Sequence, residues 1–222
     1  MQLNFKKIYM KKTLFTFAII ALLASCQTAP EGETAQTDHK QEEAKGTGTV
    51  FNIDKTNSKV SFVGTKPVGT HHGDFKLTDG NFTINEGNIT AGNFTIDVSS
   101  MNITDDGIDD ESKGKLSGHL SSEDFFNVAK YPTAKFVVTS CTPLSNDTNG
   151  THTVSGNLTL RDSTKNVSFP AKVTITENNA TATADFNIDR TQWGLFYGND
   201  KSLGDKFIYP EVKIKLDIKA SK

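Results

Sequence analysis

The feature of this sequence that most constrains its fold is a regular alternation of apolar and polar residues within short segments. Segment 207–220 shows it most clearly, with four aliphatic residues alternating with four charged ones: Val212, Lys213, Ile214, Lys215, Leu216, Asp217, Ile218 and Lys219. Successive side chains of a β-strand point to opposite faces of the sheet. The alternation therefore predicts a strand with one apolar face and one solvated face.

Similar segments recur from residue 50 onward and are separated by turn residues. They lie at 50–54, 59–63, 80–84, 89–98, 135–139, 151–160, 166–176 and 180–188. About eight strands with short connections predict an all-β fold, an antiparallel eight-stranded barrel over residues 50–222, because closure removes exposed sheet edges. A flattened sandwich is the alternative. An eight-stranded barrel is either filled by side chains or holds one slender ligand, and the pattern leaves both open.

Residues 99–136 interrupt the strand pattern and predict a short helical insertion. Segment 109–116 has helical character, and Ser121 or Ser122 could cap a further helical turn that begins with two acids. Phe125 and Phe126 are adjacent rings that a solvated loop would not need, so we expect them to be buried at one end of the barrel.

Residues 1–25 have the organisation of a secretory signal peptide. Four lysines accompany an apolar run over 14–23 that is too short to remain as a membrane-spanning helix, and Met10 is an alternative start to Met1. The segment Leu23-Ala24-Ser25-Cys26 resembles the bacterial lipobox, in which the cysteine is acylated. An ordinary signal peptide that happens to contain a cysteine is the alternative.

An acylated Cys26 would anchor the chain to a membrane of the cell envelope. Gln27 is compatible with transport to the outer membrane. Residues 26–49 have almost nothing to bury, so we expect them to be a flexible tether between the anchor and the barrel. The second cysteine, Cys141, lies near the end of a predicted strand, where we expect a free, half-buried thiol.

The charge and the motifs of the chain disfavour several functions. Residues 1–25 hold four lysines and no acid, so the remainder carries 20 basic and 26 acidic side chains, a net charge of −6. This balance predicts no nucleic-acid partner. The sequence contains no nucleophile-elbow serine and no phosphate-binding glycine loop. We therefore expect neither an enzyme nor a bound cofactor.

The sequence offers only weak candidates for polar sites. His71 and His72 are adjacent, so they face opposite sides of an extended chain and predict no metal site. The acids between 105 and 111 lack the spacing of a calcium loop and predict a solvated acidic face. His119 and Asp124 are either an acid–base pair or, as we favour, a hydrogen-bonded pair that fixes the helical insertion to the sheet.

Five motifs occur in order along the predicted barrel. The central one is His119-Leu120-x-Ser122-x-Asp124-Phe125-Phe126, followed by Tyr131-Pro132 and Phe136. The others are Phe51-x-Ile53-Asp54-x-x-x-Ser58-x-Val60-x-Phe62, Gly156-x-Leu158-Thr159-Leu160 with Lys165-x-Val167, Phe186-x-Ile188-x-Arg190-x-x-Trp193-Gly194, and Leu203-Gly204-Asp205-Lys206. Together they resemble the YceI-like family of bacterial envelope proteins. The chain departs from the family pattern at Asp189, at Trp193 and over 66–73.

The resemblance implies a lipocalin-like barrel that binds a polyisoprenoid or quinone-like lipid for storage, sequestration or transport. It favours a slot lined by rings over a filled core, and the expected ligand contacts are Phe62, Phe94, His119, Leu120, Phe125, Phe126, Phe136, Phe186, Arg190, Trp193 and Tyr197. Arg190, His119, His71 and Lys113 are candidates to meet an anionic headgroup. An enzyme acting on a hydrophobic substrate and a structural module with a filled core remain alternatives, and both monomer and homodimer stay open.

Overall fold

The computed structural model describes residues 28–145 and 149–222. Within these ranges the strands are β1 Gln36–His39, β2 Thr49–Ile53, β3 Lys59–Lys66, β4 Gly69–Asn85, β5 Asn88–Ile103, β6 Thr133–Pro143, β7 His152–Leu160, β8 Ser163–Ile175, β9 Asn179–Asp189 and β10 Glu211–Ser221. One α-helix, α1 Asp110–Ser121, and two 3₁₀ helices, Arg190–Trp193 and Lys201–Lys206, complete the fold. The predicted signal peptide and Cys26 lie outside the described residues. No helix in the described ranges is long and apolar enough to cross a membrane.

The strands close into an antiparallel barrel with eight positions. Neighbouring strands pair in sequence order from β4 to β10, and both β2 and β3 pair with β4 on one side and with β10 on the other. β2 and β3 are therefore two halves of a single barrel position, interrupted at residues 54–58. The predicted eight-stranded lipocalin-like barrel is confirmed.

One end of the barrel is filled by its own side chains. Phe51, Ile84, Val173, Ala180 and Ala220 are buried near the β4–β5 and β8–β9 turns. Apolar burial of this kind is the main stabilising term in folding. The barrel is therefore closed at this end, which we call the closed end.

Strand β1 occupies the segment that the sequence predicted to be a flexible tether. Gln36 to His39 pair antiparallel with β8, from Ser168 to Lys165, and Asn187 of β9 exchanges backbone hydrogen bonds with Glu33 and Ala35. β8 and β9 pair directly only over 172–175 and 180–183, so β1 fills the space where the two strands diverge. The tether prediction was wrong for this stretch, because main-chain hydrogen bonds fix a segment that has few apolar side chains.

Helix α1 begins where its sequence allows good capping. Asp109 is the N-cap residue, and its side chain accepts a hydrogen bond from the backbone N–H of Ser112, which lowers the pKa of this carboxyl. Asp110 and Glu111 lie in the first turn, where the helix dipole favours negative charge. The prediction that Ser121 or Ser122 starts a helix was wrong: Ser122 caps the C-terminus of α1, and its hydroxyl donates to the carbonyl of His119.

Candidate ligand-binding site

An apolar cavity of about 460 Å³ occupies the interior of the barrel. Ligand pockets commonly measure about 300–1,000 Å³. The wall is formed by aromatic and aliphatic side chains from nearly every strand, whereas the charged lining residues come from the segments near Lys66, His119, Arg190 and Lys206. These segments lie at the end opposite the closed end, which we call the mouth.

A belt of phenylalanine rings runs around the wall of the cavity. Each ring stands on a different strand and contacts the next, in the order Phe82, Phe94, Phe136, Phe169 and Phe186. Centroid distances range from 6.4 Å for Phe94–Phe136 to 3.9 Å for the stacked pair Phe169–Phe186. The rings touch along the wall and still leave a void between them, so the core is not filled by interlocking rings.

Glycines on neighbouring strands make room for these rings. A Cβ atom at Gly156 of β7 would overlap the ring of Phe136, and a Cβ at Gly73 of β4 would lie 2.5 Å from the ring of Phe62. Any side chain at either position would push a ring toward the cavity. The glycines therefore help to set the width of the cavity.

Helix α1 and the turn after it cover part of the cavity near the mouth. Leu116 and Leu120 of the helix line the cavity, together with Phe125 and Phe126 of the turn. The ring of Phe126 meets Phe75 of β4 edge to face at 5.8 Å. The two rings are therefore placed at one end of the barrel, as the sequence predicted.

His119 stands at the mouth between two aromatic rings. Its imidazole packs edge to face on Phe125 at 5.2 Å and on Tyr197 at 4.7 Å. The Nε2 atom lies 3.3 Å from a carboxylate oxygen of Asp124, and both side chains are more than one third exposed. An ion pair this exposed contributes little stability, so packing on the rings is the main constraint on the imidazole.

Arg190 lines the cavity, but its guanidinium is already bonded to the backbone. It is 5% exposed and donates hydrogen bonds to the carbonyl oxygens of Leu195, Ile208 and Tyr209. Burial lowers the pKa of Arg190, and the nearby charges of Asp189 and Glu211 oppose that shift. These bonds hold the loop between β9 and β10 over the mouth. They argue against the expected headgroup role, and Lys113, on helix α1, does not line the cavity.

A buried acid near the mouth was missed by the sequence reasoning. Asp105, expected on a solvated face, is 6% exposed and accepts a hydrogen bond from the backbone N–H of His72. Its second carboxylate oxygen lies 2.7 Å from Nδ1 of His71, which lines the cavity. The two partners are 34 residues apart, so no local spacing could have indicated the pair.

Trp193 is buried outside the cavity. It is 1% exposed, and its indole N–H donates to the carbonyl of Leu158, 2.9 Å away. Trp193 was expected among the ligand contacts, but the structure does not place it in the cavity lining, and its indole N–H finds its hydrogen-bond acceptor in the barrel wall. Cys141 does line the cavity as a free thiol, and burial raises its pKa to about 11.

The other predicted contact residues all line the cavity: Phe62, Phe94, His119, Leu120, Phe125, Phe126, Phe136, Phe186, Arg190 and Tyr197. Reasoning from the sequence missed the aliphatic part of the wall, which includes Ile89, Ile96, Val138, Val167 and Leu216. The strand alternation already placed most of these residues on an inward face. The predicted residues that line the cavity share one void. Their contact with a ligand stays a prediction.

Two curated bacterial proteins show the relationship in sequence. A UPF0312 protein of Pseudomonas putida (strain W619) is 30% identical over 162 residues, which are 70% of this chain and 71% of the relative. Protein YceI of Salmonella arizonae is 28% identical over 170 residues, 74% of this chain and 73% of the relative.

Solved structures show the relationship in fold. BcnA of Burkholderia cenocepacia superimposes with a TM-score of 0.62 and 23% identity over 76% of this chain and 99% of BcnA. A polyisoprenoid binding domain from Saccharophagus degradans, described as implicated in plant cell wall breakdown, gives a TM-score of 0.58 and 18% identity over 77% and 97% of the two chains.

The family model agrees with both kinds of comparison. The model of the YceI-like domain matches residues 51–220, from the middle of β2 to the end of β10. The matched range contains nearly the whole barrel, the helix and the segments that form the mouth. This chain belongs to the YceI-like domain family.

Proposed function

We propose that the barrel binds one long apolar lipid, isoprenoid or quinone-like, in its cavity, and that it stores, sequesters or transports this lipid. The observation that carries the proposal is an apolar cavity in which the charged lining residues, among those that the structure describes, lie toward the mouth. An apolar tail would lie among the rings, and a polar headgroup would stay at the mouth. Among proteins of similar fold, one is described as a polyisoprenoid binding domain, which agrees with this ligand class.

The binding free energy would come mainly from removing the tail from water. Each Å² of apolar surface that is buried contributes about 25 cal/mol. Of the described ionisable side chains in the lining, Arg190 is engaged by carbonyl oxygens, His119 by aromatic packing and His71 by the carboxylate of Asp105. We propose equilibrium binding and no reaction on the lipid.

Mass spectrometry of an organic extract tests the proposal directly. The full-length protein is expressed in its bacterial host, purified from the membrane in mild detergent and extracted, and the extract is compared with that of a blocked variant. Ala184→Phe serves as the blocked variant, because Ala184 lines the cavity from β9. The next residue, Asp185, is exposed, and adjacent strand residues face opposite sides, so Asp185→Phe is the matched control.

We expect a long-chain apolar lipid from the wild-type protein and from Asp185→Phe, and a strongly reduced amount from Ala184→Phe. A clean extract from the wild-type protein would contradict the proposal. Equal lipid in both variants would mean that the lipid associates with the outside of the protein, which would contradict it too.

We further propose that the protein is a lipoprotein of the cell envelope, anchored through acylated Cys26 and directed to the outer membrane. The lipobox-like segment Leu23-Ala24-Ser25-Cys26 supports this proposal. Intact-mass measurement of the mature N-terminus and membrane fractionation test it, with Cys26→Ser as the control. A mature protein without acyl chains that fractionates as Cys26→Ser does would contradict it.

A further inference from the structure

Large exposed hydrophobic side chains are concentrated at the mouth of the barrel. In the described ranges, the large hydrophobics with the highest exposure are Val50, Val68, Phe196, Tyr197 and Leu203. Val50 pairs with Thr83 near the closed end. The other four belong to segments that form the mouth. Single exposed hydrophobic residues are common on protein surfaces, but such a concentration around one opening indicates an interaction surface.

Three of these residues do not line the cavity, so lipid binding inside the barrel does not account for them. Val68, 61% exposed, is in the turn after the cavity-lining residue Lys66. Phe196, 58% exposed, precedes the lining residue Tyr197, and Leu203, 44% exposed, lies in the 3₁₀ helix that leads to Lys206. We call Val68, Phe196 and Leu203 the rim.

Lysines accompany the rim. Lys66, Lys201 and Lys206 lie within three residues of Val68 or Leu203, and the neighbouring acids are Asp200 and Asp205. Asp200 uses its carboxylate to cap the 3₁₀ helix by accepting from Ser202 N–H. Apolar side chains that enter a bilayer, flanked by lysines that reach the lipid headgroups, are typical of segments that lie in a membrane interface.

The N-terminal segment emerges near the same end of the barrel. The carbonyl of Pro30 accepts a hydrogen bond of 2.7 Å from the side chain of Asn187. Asn187 lies two residues before the end of β9 and three residues before Arg190, which lines the mouth. Only three residues lie between Cys26 and Pro30. The four steps of chain from Cys26 to Pro30 span at most about 14 Å, so an acyl anchor at Cys26 would hold the mouth close to the bilayer.

We infer that the rim docks on the surface of a lipid bilayer, so that the mouth opens against the membrane. The apolar ligand then passes between bilayer and cavity without crossing bulk water. The inference rests on the proposed lipid-binding function and assigns the partner surface of that same site. It also gives a role to residues that make no contact with the cavity.

Tryptophan substitution tests the contact directly. The full-length protein carries one tryptophan, Trp193, which is 1% exposed and supplies a constant background. Phe196→Trp and its matched control Val50→Trp are reconstituted with vesicles of phosphatidylcholine and phosphatidylglycerol, with or without brominated acyl chains. We expect the emission of Phe196→Trp to shift to the blue and to be quenched by the brominated lipid, whereas Val50→Trp remains unquenched. Equal quenching of both variants, or of neither, would overturn the inference, and the latter would point to a protein partner for the rim.

The rate of lipid uptake provides a second test. The double variant Val68→Asp/Leu203→Asp is compared with Val50→Asp, using a fluorescent farnesol derivative as the probe. We expect uptake from vesicles to slow by about tenfold or more in the double variant, since returning one buried aliphatic side chain to water changes an equilibrium by about that factor. The affinity for the probe in detergent should stay unchanged.

The outcomes separate this inference from the function on which it rests. If the wild-type protein takes up no probe from vesicles or from detergent, the proposed lipid binding fails, whatever the quenching shows. If all variants bind the probe and take it up at the wild-type rate, lipid binding stands and the docking of the rim is refuted.

Discussion

The fit between Gly156 and Phe136 leads to a quantitative prediction about the wall of the cavity. In Gly156→Ala the new methyl group would overlap the ring of Phe136, which must then move toward the cavity. Overpacking of this kind costs about 1–3 kcal/mol of unfolding free energy. Phe136→Leu replaces the ring by a shorter side chain and so removes the ring atoms that the new methyl group would overlap. In that background we expect Gly156→Ala to be neutral or to stabilise by up to about 1 kcal/mol, since glycine is unfavourable within a strand.

Urea unfolding of the two single variants and the double variant measures this difference as a coupling energy. Trp193 is buried in the barrel wall, so its fluorescence reports the transition. We expect a coupling of at least about 1 kcal/mol between the two positions. The displaced ring should also reduce the amount of lipid that Gly156→Ala retains. An equal loss of stability from Gly156→Ala in both backgrounds would refute the role given to the glycine.

Three further predictions concern single side chains. The pKa of Asp109 is lowered from 3.8, chiefly by its hydrogen bond from Ser112. The carboxylate therefore stabilises the fold above that pH, and this stabilisation is lost as the pH falls through the lower folded-state pKa. Asp109→Asn still caps a helix, so in urea unfolding its free energy of unfolding should fall less at acid pH than that of the wild type; an equal fall would contradict this. Arg190→Met leaves three carbonyl oxygens without their donor and should cost about 3 kcal/mol of unfolding free energy in the same assay, far more than Lys206→Met, which changes an exposed side chain of the mouth. Similar losses in the two variants would refute the proposal that Arg190 holds the β9–β10 loop in place. The Cys141 thiol has a pKa of about 11, so little of it is ionised at pH 8 and iodoacetamide should alkylate it slowly. Alkylation should be slower still when lipid fills the cavity that Cys141 lines. Rapid modification detected by mass spectrometry would contradict this.

The strand pattern could be predicted from the sequence because it depends on local periodicity. In β10 the alternation of Val212, Ile214 and Leu216 with lysines places one face inward, whatever the neighbouring strands are. The same logic placed Phe125 and Phe126 at one end of the barrel. It could not place β1, whose residues are polar and whose attachment depends on backbone bonds to β8 and β9, more than a hundred positions away.

The mouth shows the same division between local and long-range information. Asp105 looked like one of several surface acids, because only the fold brings His71 and the backbone of His72 to it. Arg190 belongs to a segment that resembles a family motif, and Trp193 lies where this segment departs from the family pattern. The sequence alone did not indicate that both side chains donate hydrogen bonds to backbone carbonyl oxygens of the protein.

The position of β1 has a consequence for biosynthesis. Gln36 of β1 pairs with Ser168, and Ala220 of β10 pairs with Ile53, so β1 and one edge of β2 find these partners only among strands that are synthesised late. Such distant pairings make folding slow, because a long loop must close before they form. The barrel can close only after β10 has been synthesised, because β10 pairs with β9 on one side and with β2 and β3 on the other.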